Sequence, residues 1–491
     1  MVGGAAAAAG STHNERADYR PRLHYVPPTG FMNDPNGLVF FAGEYHLYYQ
    51  YNPAASIMGN VHWGHAVSTD LLNWRTLPTT LAPTLAGLVF SGSAVVDHHN
   101  TSGFFSDGGG GIVAIYTRAA ADLQTQEIAF SGDAGRTLTP YGHNPVIDRQ
   151  SSQFRDPKVF WHAPDERWIL VVVEARRHQV LFYGSADLKA WTLLGEFGHA
   201  GLLGVDYECP DLVCLPVEGG GERWVLIVSI NPGAPLGGSA VQYFVGEFDG
   251  KTFVAEDAVT RLMDFGKDFY AFQTFANVRE TIGIAWMSNW QYANDVPAWP
   301  SRGAMTLPRR LGLRRVRDDW RLVQRFPDLT PQVARTLVDG TRPSGSGVLL
   351  EQALTPGAAL EIQLQVELPS AELFTLSFVN EAGEQLDVGM DAGPFGGLYI
   401  DHHRTRGFEQ RYFVKRLSHA SLPGTRTMDL HLILDRSSLE LLGEQGAAAA
   451  TALYFASAPF SLLRLVAGGG RALVPRLLIR HLRDIPSAAG G

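Results

Sequence analysis

The chain has 491 residues, 45% of them hydrophobic and 18% charged, and carries a formal net charge of −9. This length exceeds the size at which one hydrophobic core keeps growing, so we expect two domains. Acidic and basic residues are interspersed without a Lys/Arg run, and apolar runs such as 168–173 are too short for a bilayer, which argues against nucleic acid and membrane partners and for a soluble protein.

The N-terminal segment is rich in Gly and Ala and lacks the positive region and the apolar core of a signal peptide. We interpret residues 1–18 as a flexible leader. The chain as it stands is therefore expected in the cytoplasm, and outside the cell if a signal peptide was removed or replaced.

Short strands separated by polar turns dominate residues 19–326. A turn segment at 68–77 recurs at 185–193, and degenerate copies lie at 131–137 and 247–253, which gives a period of about 60 residues. Such a period in a β-rich sequence is typical of propeller blades, each of which buries its faces against its neighbours. We predict five blades over 19–326, with apolar strands, innermost or second in each blade, at residues 45–51, 112–117, 168–173, 224–230 and 282–287.

Three carboxylates in this region lie beside a proline or a tight turn: Asp34 in Asn-Asp-Pro-Asn-Gly, Asp156 in Arg-Asp-Pro and Glu208 in Glu-Cys-Pro. Each motif alone is equally well explained as a turn, because Asp and Asn before Pro or Gly are common turn residues. Three acids on three rigid turns, however, are able to converge on one pocket. Cleavage of a glycosidic bond needs carboxylates arranged in that way.

The C-terminal part of the chain has a different pattern. Residues 327–344 contain three prolines and are predicted to be a linker, and the alternation of apolar and polar residues within 345–487, as at 360–368, predicts a β-sandwich. Further strands are expected at 373–379, 430–434, 439–442, 452–455 and 473–480, the last an edge or late-starting strand because of Pro475. The predicted fold is therefore all-β, a five-bladed β-propeller followed by a C-terminal β-sandwich.

Metal and cofactor sites are not predicted. Cys209 and Cys214 are expected on one strand with their side chains on opposite faces, which disfavours a disulfide. The histidine pairs at 98–99 and 402–403 lack a convergent carboxylate and are interpreted as solvated, so no metal site is expected. The sequence has no phosphate loop or dinucleotide fingerprint, so no cofactor is expected.

Several further segments accompany the acidic motifs: Tyr-Tyr-Gln-Tyr-Asn-Pro at 48–53, His-Trp-Gly-His-Ala at 62–66, Phe-Ser-Gly-Ser at 90–93, Ser-Ile-Asn-Pro-Gly-Ala-Pro at 229–235, Asp-Phe-Gly-Lys at 264–267 and Asp-Arg-Ser-Ser-Leu-Glu at 435–440. Together they resemble the signatures of glycoside hydrolase family 32, which contains invertases, exo-inulinases, levanases and fructosyltransferases. The resemblance extends from about Tyr19 to about Arg483, and segments 229–235 and 242–246 are most similar to yeast and fungal invertases. It implies the same propeller-and-sandwich fold.

The resemblance also implies a retaining β-fructofuranosidase that hydrolyses the terminal fructosyl unit of sucrose and related fructo-oligosaccharides or fructans through a covalent intermediate. In this mechanism Asp34 is the nucleophile, Glu208 is the acid that later acts as base, and Asp156 binds fructose hydroxyls. The carboxyl groups of a retaining pair are expected about 5–5.5 Å apart. The alternatives are a fructosyltransferase that uses the same intermediate, a non-catalytic carbohydrate-binding propeller and, more remotely, an inverting arabinan-cleaving hydrolase.

The resemblance thus implies a small saccharide as the substrate, and ten residues are expected to bind it: Asn33, Gln50, Met58, Phe90, Ser91, Arg155, Asn231, Asp264, Lys267 and Trp290. Phe31, Met58 and Phe90 stand where the family usually has Trp. This difference leaves the choice between sucrose, inulin-type chains and transfer to another sugar open. Cys209 is interpreted as a small buried residue, and a homodimer through the sandwich is one oligomeric state that we consider.

Overall fold

The computed structural model describes residues 18–106, 109–394, 396–420 and 425–485. Five propeller blades are followed by a sandwich, so the predicted fold is confirmed. The predicted leader lies outside the described residues except for Asp18, as do residues 486–487 of the predicted sandwich. In the described part of the chain the helices are short 3-10 turns, and none is long and apolar enough to cross a membrane; they are Ala163–Asp165, Ala175–Arg177, Thr330–Gln332 and Glu444–Gly446.

Each blade is an antiparallel sheet. Blade 1 contains β1 (Gly30–Phe41), β2 (Glu44–Asn52), β3 (His62–Ser68) and β4 (Arg75–Leu81); blade 2 contains β5 (Leu88–Asp97), β6 (Gly111–Ala119), β7 (Gln124–Ser131), β8 (Thr139–Pro140) and β9 (Ile147–Ser151). Blade 3 contains β10 (Phe154–His162), β11 (Arg167–Glu174), β12 (Gln179–Ser185) and β13 (Thr192–Gly198). Blade 4 contains β14 (Asp206–Pro216), β15 (Glu222–Asn231), β16 (Ala240–Phe248), β17 (Phe253–Ala255) and β18 (Arg261–Leu262). Blade 5 contains β19 (Tyr270–Thr274), β20 (Ile282–Trp286), β22 (Arg309–Val316) and β23 (Asp319–Arg325), while β21 (Ser301–Arg302) runs parallel to β1.

The first strands of the blades surround the central axis, because β1, β5, β10, β14 and β19 contact one another in a ring. The apolar strands predicted from the sequence are the second strands, β2, β6, β11, β15 and β20. Both faces of these strands are covered by neighbouring sheets, and every residue of β6 and β20 is buried. This burial explains their continuous apolar runs.

The sequence repeat marks one turn of the blade. Ser68 is the last residue of β3, and its hydroxyl donates a hydrogen bond to Asp70, whose carboxylate accepts bonds from the backbone N–H groups of residues 72 and 73. Ser185 and Asp187 repeat these contacts between β12 and β13. The degenerate copies at 131–137 and 247–253 form the corresponding turns of blades 2 and 4. The segment that repeats about every 60 residues is therefore the connection between the third and fourth strands of a blade.

The sandwich is built around one long strand, β34 (Leu462–Leu482), which pairs with β24, β25, β26 and β27. Its other strands are β24 (Val333–Asp339), β25 (Ser344–Ala353), β26 (Leu360–Glu367), β27 (Leu373–Val379), β28 (Gln385–Asp391), β29 (Gly397–Asp401), β30 (Arg416–Ala420), β31 (Thr427–Leu434), β32 (Ser438–Gly443) and β33 (Ala448–Leu453). The inner faces enclose a core that includes Phe374, Leu376 and Phe378.

Two predictions for this domain are wrong. Regular structure begins inside the predicted linker, because β24 pairs with the end of β34. Pro475 lies within a central strand rather than at an edge, and the ladder accommodates it by a register shift opposite Gln365 and Glu367. A bulge is a position where a strand tolerates the missing N–H of proline.

The histidine and cysteine predictions have different outcomes. Cys209 and Cys214 both lie on β14, and neither forms a disulfide. His402 is buried against the ring of Phe413, at 5.3 Å between centroids, so the interpretation of 402–403 as a solvated pair is wrong for this residue. Its neighbour His403 is exposed and contacts Asp401.

Candidate active site

The innermost strands share an irregularity near their first residues. The pairing register shifts between Met32 and Pro35 in β1, Val89 and Gly92 in β5, Arg155 and Lys158 in β10, Glu208 and Asp211 in β14, and Tyr270 and Gln273 in β19. A bulge leaves residues unpaired and redirects their side chains. Asp34, Ser91 and Asp156 are among these unpaired residues, and Asp156 has a positive φ of 65°. The repeated bulge thus collects polar groups at one end of the central axis.

A cavity of about 350 Å³ opens at this end. The residues that line it are Asn33, Asp34, Gln50, Met58, Phe90, Arg155, Asp156, Glu208, Asn231, Trp290 and Asn294. Asp34 and Asp156 are 8% and 6% exposed and lie deep, whereas Met58 is 38% exposed and lies at the mouth. The structure therefore brings together all three predicted acids and seven of the ten predicted binding residues.

Asp34 is surrounded by hydrogen-bond donors. The Ser91 hydroxyl donates to its Oδ2 atom at 2.6 Å, and the Asn33 amide donates to Oδ1 at 3.1 Å. Gln50 in turn donates to Ser91 and accepts from Asn33, so Ser91 lies behind the cavity as a support for Asp34. Burial raises the pKa of Asp34, and the bonds from Ser91, Asn33 and Cys209 oppose this rise. The donors therefore favour the ionised form that a nucleophile requires.

Glu208 contacts Arg155, which was predicted as a sugar contact, and Tyr270, which was not predicted. The Arg155 guanidinium lies 3.2 Å from its Oε1 atom, and the Tyr270 hydroxyl donates to Oε2. Burial raises the pKa of Glu208, the charge of Arg155 and the bond from Tyr270 lower it, and the charge of Asp34 raises it further. A raised pKa favours the protonated form that a general acid requires.

Asp156 is held by its backbone as well as by its side chain. Its N–H donates to the Thr117 hydroxyl at 3.0 Å, and its carboxylate accepts the Cys209 N–H at 3.0 Å. Burial raises the pKa of Asp156; the charge of Arg155 lowers it, and the charges of Glu208 and Asp34 raise it. Because three carboxylates share one buried cavity, full ionisation of all three is disfavoured.

The Cys209 thiol lies between two of these acids, 3.5 Å from Asp34 and 3.7 Å from Asp156. Burial and the neighbouring carboxylates raise the pKa of Cys209 well above its usual value, so the group stays a thiol. This state agrees with its interpretation as a small buried residue. The S–H group also donates a weak bond to Asp34, which the sequence did not indicate.

Asp264 and Lys267 do not line the cavity, in contrast to their prediction as sugar contacts. The Asp264 carboxylate binds Arg309 at 2.9 Å and the hydroxyl of Thr451 at 2.8 Å, at the contact between propeller and sandwich. Lys267 is also buried there and donates to the backbone of Tyr412. Both residues of this motif bind the sandwich domain. A short sequence motif does not reveal a partner that lies so far along the chain.

The aromatic residues near the cavity have different positions. Phe31 is 1% exposed and stacks behind Trp290 at 6.1 Å between ring centroids, so it supports the wall instead of facing the cavity. Met58 and Phe90 face the cavity directly. The Asn231 amide oxygen accepts a bond from Ser239, which fixes that side chain at the rim.

Sequence reasoning missed Thr117, Tyr270 and Asn294. Thr117 and Tyr270 reach the acids from strands that carry no acidic motif, and no local signal distinguishes them. Asn294 lies four residues after Trp290, and its amide oxygen accepts a bond from the Met58 N–H at 2.8 Å. Among the residues that the structure describes, no group of three His, Cys, Asp or Glu side chains is arranged to hold a metal ion.

Similar proteins share both the sequence and the fold. A levanase of Bacillus subtilis is 39% identical over 99% of this chain and 73% of its own length. An invertase of Debaryomyces hansenii is 50% identical over 60% of this chain and 57% of its own length. The structure of the β-fructofuranosidase of Schwanniomyces occidentalis complexed with fructosyl-erythritol matches with a TM-score of 0.88 and 36% identity, covering 96% of this chain and 99% of that one.

Two family models divide the chain at the same place as the fold. The glycosyl hydrolases family 32 N-terminal domain matches residues 24–325, and the glycosyl hydrolases family 32 C-terminal domain matches residues 330–481. The first match corresponds to the propeller and the second to the sandwich. The chain therefore belongs to family 32 of the glycosyl hydrolases.

Proposed function

We propose that this glycoside hydrolase is a retaining β-fructofuranosidase that removes the terminal β-D-fructofuranosyl unit from sucrose and related fructo-oligosaccharides or fructans. The observation that carries the proposal is the meeting of Asp34, Asp156 and Glu208 in one cavity, with unequal surroundings. Relatives named as an invertase and a levanase support the substrate class. A two-step glycosidase needs a pair of carboxylates in different surroundings, one as nucleophile and one as acid.

In the first step Asp34 attacks C2 of the fructosyl unit while Glu208 gives its proton to the leaving oxygen. The C2–O bond breaks, and an ester forms between the fructosyl unit and Asp34. In the second step Glu208 takes a proton from water, and the resulting hydroxide equivalent attacks C2 and releases Asp34. Asp156, Asn33 and Gln50 bind fructose hydroxyls, and bonds that strengthen in the transition state lower the barrier.

The first experiment follows the products from concentrated sucrose and, separately, from inulin. Equal glucose and fructose from sucrose indicate hydrolysis, rapid fructose from inulin indicates an exo-acting fructanase, and excess glucose with new oligosaccharides indicates transfer. Carbon-13 NMR of the C2 resonance in the first minutes tests the stereochemistry, because C2 carries no proton and a retaining enzyme releases the β-furanose before mutarotation. Release of the α-anomer first, or no turnover of either sugar, contradicts the proposal.

The oligomeric state is a separate question. A homodimer through the sandwich stays a prediction. Light scattering during size-exclusion chromatography tests it, since a dimer doubles the mass of the 53.6 kDa chain.

A further inference from the structure

Lys267 connects three separate parts of the molecule. Its ammonium group donates to the Leu236 carbonyl at 2.8 Å in blade 4, to the Gln291 side chain at 2.7 Å in blade 5, and to the Tyr412 carbonyl at 2.7 Å in the sandwich. The residue is 3% exposed. A lysine ammonium has three donors, and each of them has one acceptor here.

A second set of contacts joins the same parts. The Gln410 amide of the sandwich donates to the Gln291 carbonyl at 3.2 Å and to Asp295 at 3.4 Å. The Tyr292 ring packs edge-on against Phe413 of the sandwich at 5.1 Å between centroids. Residues 408–413 of the sandwich therefore hold residues 289–295 of the propeller by polar and apolar contacts.

The held segment forms part of the mouth of the cavity. Trp290 and Asn294 line the cavity, and Asn294 also accepts a bond from the backbone of Met58 in blade 1. Asp34 and Asp156 lie deep, whereas Met58 and Asn294 are exposed. A fructosyl unit bound at the acids therefore directs its leaving group past this mouth.

We infer that segment 408–413 of the sandwich positions the leaving-group side of the active site, through Lys267 and Gln410, and thereby influences which leaving groups the enzyme accepts. This inference rests on the proposed function. Lys267 and Gln410 are positioning residues, because they contact the segment that carries Trp290 and Asn294 rather than the cavity itself. Displacements of about 1 Å in such a wall are able to change rates by up to about 10²-fold.

Two variants test the inference. Lys267→Met keeps the length of the side chain without its three bonds. Gln410→Glu keeps the shape but replaces the donor with a carboxylate that faces Asp295. Since Gln410 is only half-buried, its variant is expected to fold even if Lys267→Met does not. Arg314→Ala is the matched control, because Arg314 also joins the propeller to the sandwich, at the Glu444 carbonyl, without contact to segment 289–295.

The readout is KM and kcat for sucrose and for 1-kestose, together with inhibition by free fructose. We expect each test variant to lower kcat/KM about tenfold, mainly through KM and unequally for the two substrates, within the range that misplacement produces. The inhibition constant of fructose is expected to stay within about twofold, because fructose occupies the deep end of the cavity. Arg314→Ala is expected to keep both kcat/KM values.

The inference is overturned if both variants keep wild-type kcat/KM for both sugars, or if Arg314→Ala produces the same loss. A uniform fall in kcat with unchanged KM also contradicts it, since that result indicates a disturbed catalytic pair. An inactive wild-type enzyme overturns the proposed function and this inference together.

Discussion

At the scale of single residues, the groups around Glu208 set the pH range in which it acts as an acid. The Tyr270 hydroxyl donates to the carboxylate and therefore stabilises its ionised form. In a Tyr270→Phe variant the pKa of Glu208 should rise, and the basic limb of the kcat profile should move to higher pH. A lost bond to a charged group is worth about 1.5 kcal/mol, which corresponds to about one pH unit. Rate measurements between pH 4 and 9 test this shift, and a downward shift contradicts it.

Asp34 and Cys209 provide a matched pair of tests. Asp34→Ala removes the proposed nucleophile, so less than a tenth of the activity should remain, because covalent catalysis contributes far more than tenfold. Cys209→Ala removes only a weak donor to Asp34, which should raise the pKa of Asp34 slightly and move the acid limb to higher pH. Steady-state rates on sucrose distinguish them. Comparable losses in both variants contradict the nucleophile assignment and the minor role of the thiol.

The same residue scale shows what a sequence reveals about a site. Asp34, Asp156 and Glu208 belong to short contiguous motifs, so their meeting in one pocket was predictable. Tyr270 and Thr117 were not, because their contacts with the acids arise only when neighbouring blades pack. Lys267 illustrates the opposite error, since its motif is contiguous but its partners lie in the sandwich and in two propeller loops.

At the scale of elements, the bulge of β10 depends on a neighbouring blade. The Thr117 hydroxyl of β6 accepts the Asp156 N–H and donates to Gln126 of β7, whose amide donates to the Phe154 carbonyl at 2.8 Å. This chain of bonds fixes both sides of the bulge that presents Asp156. The position of an active-site acid is thus set by contacts between blades as well as by its own strand.

Replacement of Thr117 by Val tests this support. The buried Asp156 N–H loses its acceptor, which should lower the free energy of unfolding by about 1–3 kcal/mol. We also expect a lower kcat/KM, because the Asp156 carboxylate is no longer held in place. Thr117→Ser keeps the hydroxyl and serves as the control in urea unfolding and in kinetics. Equal activity of the Val and Ser variants contradicts this role.

Elements also differ in how well the sequence predicts them. The turns after β3 and β12 were found because Ser68, Asp70 and their repeats bond within a few residues. Strand β24 was taken for a linker because its partner, the end of β34, lies far along the chain. The prediction of an edge strand at Pro475 was wrong for the same reason, since only the pairing of β34 with β26 shows that a bulge accommodates the proline.

At the scale of the whole molecule, a buried network of charges joins propeller and sandwich. Arg309 of the propeller binds Asp264 at 2.9 Å and Glu440 of the sandwich at 2.7 Å. The His24 ring lies between Glu440 and Asp435, at 2.8 Å from each. Breaking one buried pair typically costs about 3–5 kcal/mol, because it leaves an uncompensated charge. We therefore expect the two domains to unfold together.

His24 gives this network a dependence on pH. Burial alone would lower its pKa, but the hydrogen bonds and charges of Asp435 and Glu440 raise the pKa of His24 to about 9. Both ring nitrogens face carboxylates, so the protonated ring satisfies both. Because the pKa in the unfolded chain is about 6.5, the stabilisation is complete below about pH 6.5 and is lost as the pH rises through about 9.

A His24→Gln variant should therefore be destabilised most in mildly acidic solution. We expect its deficit in the free energy of unfolding to be about 3 kcal/mol larger at pH 6 than at pH 9.5, since each pKa unit corresponds to about 1.4 kcal/mol. Urea unfolding at the two pH values measures the difference, with the exposed His99→Gln as control. An equal deficit at both pH values would mean that His24 contributes through packing and neutral hydrogen bonds, and that the interface holds an uncharged ring.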